Sequence, residues 1–159
     1  MSSLVATLLL PERVVNGVHN VCTSLIVNTI CTSSTSIVSF IRYLSNSNHI
    51  VQDINLTIKE IDLEFTISII KQVIIEQELK SNLTDSIKNA MIGVSETLKE
   101  LNQELEAIHN SIKYHESKYF ANWRTLVWHG NIDRLKKFDI ILHKRYELLF
   151  ALLKIYNTK

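Results

Sequence analysis

The stretch that decides the fold is Ile87–Ile112, IKNAMIGVSETLKELNQELEAIHNSI. Apolar residues recur at Ile87, Met91, Val94, Leu98, Leu101, Leu105, Ile108 and Ile112, in alternating steps of four and three, and Tyr119 keeps the same register. That spacing gathers them on one stripe of a helix, with Lys88, Glu96, Lys99, Glu100, Glu104 and Glu106 lying between them. The pattern predicts a long helix with a coiled-coil-like seam, weakest at Gly93. Ser81 or Asn82 is the expected cap, with Asp85 favourable in the first turn.

Toward the C-terminus the pattern repeats at Trp128, Ile132, Leu135, Leu142, Tyr146, Leu149, Leu153 and Tyr156, broken once by Asp139. Phe138, Ile141, Leu148, Leu152 and Ile155 widen the apolar face. His129-Gly130-Asn131 is expected to break or cap the chain before this helix, with Asp133 in its first turn.

On the N-terminal side, Val14–Ile41 contains no Asp, Glu, Lys or Arg. Val18, Val21, Leu25, Ile26, Ile30, Ile37, Val38 and Ile41 are interleaved with Ser, Thr and Asn, which disfavours a membrane span although the length would permit one. We read a central, mostly buried helix, with a membrane-active segment as the alternative. Residues 54–69 are ambiguous. Ile54, Leu56, Ile58, Ile61, Leu63, Phe65, Ile67 and Ile69 suit a strand, whereas Val51-Ile54-Ile58-Ile61-Phe65 and Leu63-Ile67-Ile70-Ile74 make helical stripes. No Gly or Pro offers a hairpin turn and no neighbour offers a strand to pair with, so a helix is expected.

Composition agrees. Three glycines and one proline among 159 residues cannot supply the turns of a sandwich or barrel. The expected architecture is therefore all-α, an up-and-down four-helix bundle of long helices forming a single domain over residues 1–159, with connections near 45–49, 80–84 and 117–131. Abundant Ile and Asn resemble A+T-rich coding, as in some microbes, protists and large DNA viruses. Cys22 and Cys31 lie two and a half turns apart and cannot bridge on one helix. A reducing, intracellular and cytoplasmic setting is expected, with membrane association as the alternative. The start reads poorly as a signal peptide.

Chemistry is hard to find. None of His19, His49, His109, His115, His129 and His143 pairs at three or four positions, so no helical metal face is expected. Glu106-Ala107-Ile108-His109 is a single Glu-x-x-His with its Glu off the inward stripe. Glycines only at 17, 93 and 130 exclude a phosphate loop. Cys22 and Cys31 sit in an uncharged helix where nothing lowers a thiol pKa. We expect no enzyme activity, no cofactor, no metal and no small-molecule substrate.

Charge is distributed unevenly. Residues 51–110 carry five Lys against eleven Asp/Glu, a net −6, and residues 111–159 carry ten Lys/Arg against four Asp/Glu, a net +6. The blocks can neutralise each other across a helix seam or leave a basic face free. Arg134, Lys136, Lys137, Lys144 and Arg145 are the candidate anionic-surface residues, with Arg124 and Lys154 nearby, and an apolar stripe flanked by such residues suits anionic lipid. No nucleic-acid-reading motif accompanies them. Tyr146–Tyr156 is apolar nearly all round, so Leu148, Phe150, Leu152 and Ile155 are the candidate surface for self-association or a protein partner.

Val94-Ser95-Glu96-Thr97-Leu98-Lys99-Glu100-Leu101, Leu105 and Ile108, then Trp128, Ile132-Asp133-Arg134-Leu135 and Leu142 to Leu149, resemble the amino-terminal helical bundles of HeLo-type cell-death proteins. That group includes fungal HeLo domains and the four-helix domain of the mixed-lineage kinase-like necroptosis effector. The resemblance covers roughly residues 87–153. It implies a bundle that oligomerises and permeabilises membranes through basic and apolar helices, with no enzymatic step.

Overall fold

The computed structural model of the chain describes residues 12–46, 51–78, 83–118 and 127–158. Five helices fill them: α1 (Glu12–Asn46), α2 (Gln52–Glu60), α3 (Leu63–Glu78), α4 (Asp85–Glu116) and α5 (His129–Asn157). The described residues contain no strand, so the fold is all-α as expected. Tyr119, Ser81, Asn82 and Arg124 lie outside the described residues, as does the side chain of Cys22.

The count of five corrects the expected four. The second segment breaks at Ile61–Asp62, where Asp62 adopts a left-handed φ of 48°. Ile61 N–H donates to Thr57 O at 3.0 Å and Asp62 N–H to Lys59 O at 3.2 Å, closing α2. Asp62 O then accepts from Thr66 N–H at 3.1 Å, opening α3. Asp tolerates the left-handed region better than most residues and is also a favoured N-cap, so one residue can serve both ends. The turn resets the helical register. Val51, Ile54 and Ile58 are buried and Ile61 partly so, but Phe65, the next member of the expected stripe, is exposed. The other stripe, Leu63, Ile67, Ile70 and Ile74, is buried throughout. With no strand partner nearby, these side chains can reach a core only on a helix, and the period-two reading loses.

α4 carries its stripe as read: all eight apolar positions from Ile87 to Ile112 are buried. Its cap is Thr84, whose hydroxyl accepts from Ile87 N–H at 3.4 Å, and Asp85 stands in the first turn.

Contacts fix the directions. Arg42 Nε donates to Glu64 Oε1 (3.1 Å) and Lys71 Nζ to Thr35 Oγ1 (2.9 Å), so α1 and α3 run antiparallel. His109 on α4 stacks against Phe40 and Tyr43, while Leu25 and Thr29 lie beside Ile92 and Ser95, so α1 and α4 run parallel. Glu104 with Arg134, and Gly93 with Arg145, set α4 and α5 antiparallel. The short α2 is tied to the end of α1 by Asn55 Nδ2 donating to Leu44 O at 2.8 Å. One contiguous apolar cluster draws on all five helices.

α1 is less buried than expected. Val27, Ile30, Ser34, Ile37, Ile41 and Leu44 are buried, but Ser24, Asn28, Thr29, Thr32, Thr35 and Ser39 are exposed. Thr29, Thr35 and Ser39 donate to the carbonyls four residues back, at 2.8–2.9 Å, so the helix satisfies its own outward hydroxyls. α1 is also long and apolar enough over Thr23–Asn46 to cross a membrane, by length and composition alone.

The Asp62 turn gives a direct check. Asp62→Gly should leave stability equal or raise it by up to about 1 kcal/mol, because glycine enters the left-handed region freely. Asp62→Val should lower it by roughly 1–3 kcal/mol in urea unfolding, because a β-branched residue is strained there. Equal stability of the two variants would contradict this account of the α2–α3 break.

Candidate partner surface on the last helix

α5 starts at His129, with Trp128 buried at the cap position and Ile132 N–H donating to Trp128 O at 2.9 Å. Gly130 therefore lies inside the first turn rather than breaking the chain, and Asp133 falls beyond that turn. Leu135, Leu142, Leu149 and Leu153 form the inward stripe.

The five candidate cationic residues separate into two groups. Arg134 Nε donates to Glu104 Oε2 at 2.7 Å. Glu104 is a buried carboxylate in the α4 seam, and Asn131 Nδ2 donates to its other oxygen at 2.7 Å. The hydrogen bond and charge of Glu104 raise the Arg134 pKa above its already high ordinary value. Arg145 donates to Gly93 O and to Thr97 Oγ1 (2.9 Å), and lies 3.5 Å from Glu96. Lys136 reaches Glu60 of α2 at 3.7 Å, an exposed pair that contributes little to stability. Three of the five thus meet the acidic middle of the chain across helix seams, the first of the two readings of the charge blocks. Lys137 and Lys144 remain, both exposed.

The four candidate apolar residues also divide. Leu148 (57 %), Phe150 (53 %) and Ile155 (60 %) are exposed, whereas Leu152 is half-buried against the core. At 100° per residue, Phe150 stands about 200° around the helix from Leu148 and faces the other flank. There its ring lies 6.1 Å from that of Tyr146. Lys137, Lys144, Leu148 and Ile155, by contrast, fall within about 40° of one another. They make a single outward stripe, basic in its first half and apolar in its second. The steps of seven, four and seven were available in the sequence. The separation of Arg134 and Arg145 from this stripe was not, because it depends on which acids α4 presents. Ile140, 55 % exposed, is an outward apolar residue that the sequence reading passed over.

α3 is short, with 16 residues against 32 in α4. Continuing the Arg42–Glu64 and Thr35–Lys71 register, α3 ends level with Asn28 of α1, so the last turns of α5 extend past it.

Asp139 sits in the gap of the inward stripe with its side chain 15 % exposed, Oδ1 lying 3.2 Å from His143 Nδ1. Burial raises its pKa above the usual carboxylate range, and His143 opposes that by charge and hydrogen bonding. Among the described residues no group of three or more His, Cys, Asp or Glu could hold a metal ion. Glu106 is exposed, and His109 packs between Phe40 and Tyr43 with ring centroids 5.5 and 4.6 Å away.

No family model and no solved structure matches the chain, so the HeLo-type resemblance rests on the quoted residues alone. An uncharacterized protein of Acanthamoeba polyphaga mimivirus is 26 % identical over 115 residues, which are 72 % of this chain and 52 % of that protein. The chain spans about half the length of this relative. The match fits the viral-like composition read from Ile and Asn content.

Two measurements check the geometry. Glu104→Ala removes two hydrogen bonds to a buried charge and should destabilise by about 2–3 kcal/mol in urea unfolding. Asp139→Leu completes the inward stripe and should stabilise at pH 7, by on the order of 1 kcal/mol. A raised folded pKa means that protonation favours the native state. The wild type therefore recovers stability as pH falls through that pKa, and the advantage of the variant should shrink from pH 7 to pH 4. A constant advantage would show that burial of the Asp139 charge is not its source.

Proposed function

We propose that this chain is a non-enzymatic helical-bundle module that assembles with a protein partner through the outward stripe of α5. On this reading α1, α3, α4 and α5 are the four members of an up-and-down bundle and α2 braces one end. The observation that carries the proposal is Leu148 and Ile155, exposed in line with Lys137 and Lys144 on the side of α5 turned away from its inward leucines. Exposed apolar residues beside unneutralised cations suit a partner helix with apolar and acidic residues along one face. A second copy fits less well. Parallel pairing of two such stripes sets lysine against lysine, and antiparallel pairing sets lysine against leucine and isoleucine. Sedimentation equilibrium of the chain, alone and with a partner isolated from its host, tests this. Leu148→Asp with Ile155→Asp should weaken the association at least 30-fold, the ~2 kcal/mol of an interface hot spot. A strict monomer with no partner, or an association that the double variant leaves intact, would overturn it.

A second reading, an intracellular bundle that binds or permeabilises anionic membranes, draws support from the membrane-spanning length and apolar composition of α1. Lys137 and Lys144 would meet lipid phosphates while Leu148 and Ile155 entered the interface. Engagement of Arg134, Lys136 and Arg145 inside the molecule leaves this reading fewer cations than the sequence promised. Flotation with anionic and neutral liposomes decides it. Binding to anionic vesicles that is lost in Lys137→Glu with Lys144→Glu supports it, and failure to bind either vesicle sinks it.

A further inference from the structure

A groove of about 500 Å³ runs between the outer faces of α1 and α3, away from the α5 stripe. Val38, Ile67 and Ile75 give it apolar walls, and Ile75 is 44 % exposed there. The hydroxyls along it are mostly occupied: Ser39 donates to Thr35 O and Ser68 to Glu64 O, at 2.9 and 2.8 Å. Ser34 differs. It is fully buried on the groove lining, and its Oγ has no hydrogen-bond partner. Beside it Lys71 reaches across the groove from α3 and donates to Thr35 Oγ1 at 2.9 Å. No described carboxylate lies within ion-pair distance of Lys71, whereas Arg42, at one end of the groove, has Glu64. Glu76 accepts from Gln72 Nε2 at 3.3 Å. The groove thus combines apolar walls, a cation that meets only a hydroxyl, and a buried hydroxyl without a partner. Its volume is within the ~300–1,000 Å³ of sites for small organic ligands.

We propose that this groove binds a single-chain amphiphile with an anionic head. The alkyl part lies along Val38, Ile67 and Ile75. The head accepts from Lys71 and from the Ser34 hydroxyl, which gives the ammonium a counter-charge and the hydroxyl an acceptor. A carboxylate or a phosphate ester supplies the same acceptor oxygens. The site is independent of the proposed partner surface and stands or falls without it.

Isothermal titration of the full chain tests the inference, with dodecanoate and dodecyl phosphate as the two head types, both below their micellar range. Dodecanol and inorganic phosphate are the chain-only and head-only probes. One saturable site for an anionic amphiphile is expected, with dodecanol and phosphate each at least about tenfold weaker. Which of the two heads binds more tightly identifies the source. Lys71→Met and Ser34→Ala should each weaken binding by about tenfold, the scale of one charge-assisted hydrogen bond. Ser68→Trp, which fills the groove from an exposed position, should abolish it, and Lys137→Met on α5 should leave it unchanged. Thermal melts matching the wild type establish that each variant is folded. Equal binding of dodecanol, indifference to Lys71→Met in a folded variant, or uptake only by anionic vesicles without saturable binding of free amphiphile would overturn the proposal.

Discussion

A carboxylate in the middle of a leucine seam must find partners or unfold what surrounds it, and Glu104 imposes that constraint on this chain. Its two oxygens accept from Asn131 and from Arg134, both on the first turns of α5. The contacts set the level of α5 along α4 and its rotation about its own axis. Two to three turns closer to the start of α4, Arg145 repeats the pin on Gly93 O and Thr97 Oγ1, on the same antiparallel register. With both arginines turned toward α4, the helix has one way to present its remaining residues. Lys137, Lys144, Leu148 and Ile155 then point outward because Leu135, Leu142 and Leu149 point inward. The composition of the outer stripe is thus a consequence of how a buried charge is satisfied on the inner side.

The parts of this arrangement that depend on periodicity alone were legible in the sequence. The α4 stripe is buried at every expected position, and the α5 leucines follow their pattern with Asp139 as the one interruption. What periodicity cannot express was misjudged. Asp62 looks like an ordinary polar residue in a continuous apolar run, and only its left-handed backbone divides α2 from α3 and turns Phe65 out of the core. Absence of charge in α1 was read as burial, yet a helix can expose Ser and Thr that bond to its own carbonyls. The cations of α5 divide for a related reason. Composition places cations near one another along α5 but does not say which of them an acid on α2 or α4 will claim.

Helix rotation governs the exposed surface as strongly as residue type does. At 100° per residue Leu148 and Ile155 lie about 100–160° around α5 from Leu135, Leu142, Leu149 and Leu153. α5 packs chiefly on α4, whereas α3, half as long as α4, packs chiefly on α1. Leu148, Phe150 and Ile155 are exposed at more than half of their surface on the last turns of α5, where Leu149 and Leu153 suffice for contact with α4. The apolar excess of 146–156 therefore divides between the inward stripe and faces turned away from α4.

The two outward faces also differ in what can cover them. Lys137 and Lys144 keep full charges outside, so any neighbour of the α5 stripe must supply anionic groups or leave the ammonium groups in water. The outer face of α1 presents hydroxyls already bonded to Leu25, Cys31 and Thr35 carbonyls. Such groups lose little on desolvation, since their donors are satisfied before anything arrives. This face can accept an apolar cover without stranding a charge, except at Lys71 and Arg42, which border it from the groove. The same feature explains why α1 passes for a membrane span by composition while packing one side on the apolar core. Internal satisfaction of polar groups lowers the cost of both environments, and so length and hydropathy cannot separate them. The position of charge differs between the two helices: among the described side chains of α1 it is Arg42, paired to Glu64 on the α3 side, and on α5 the unpaired Lys137 and Lys144 lie opposite the inward leucines.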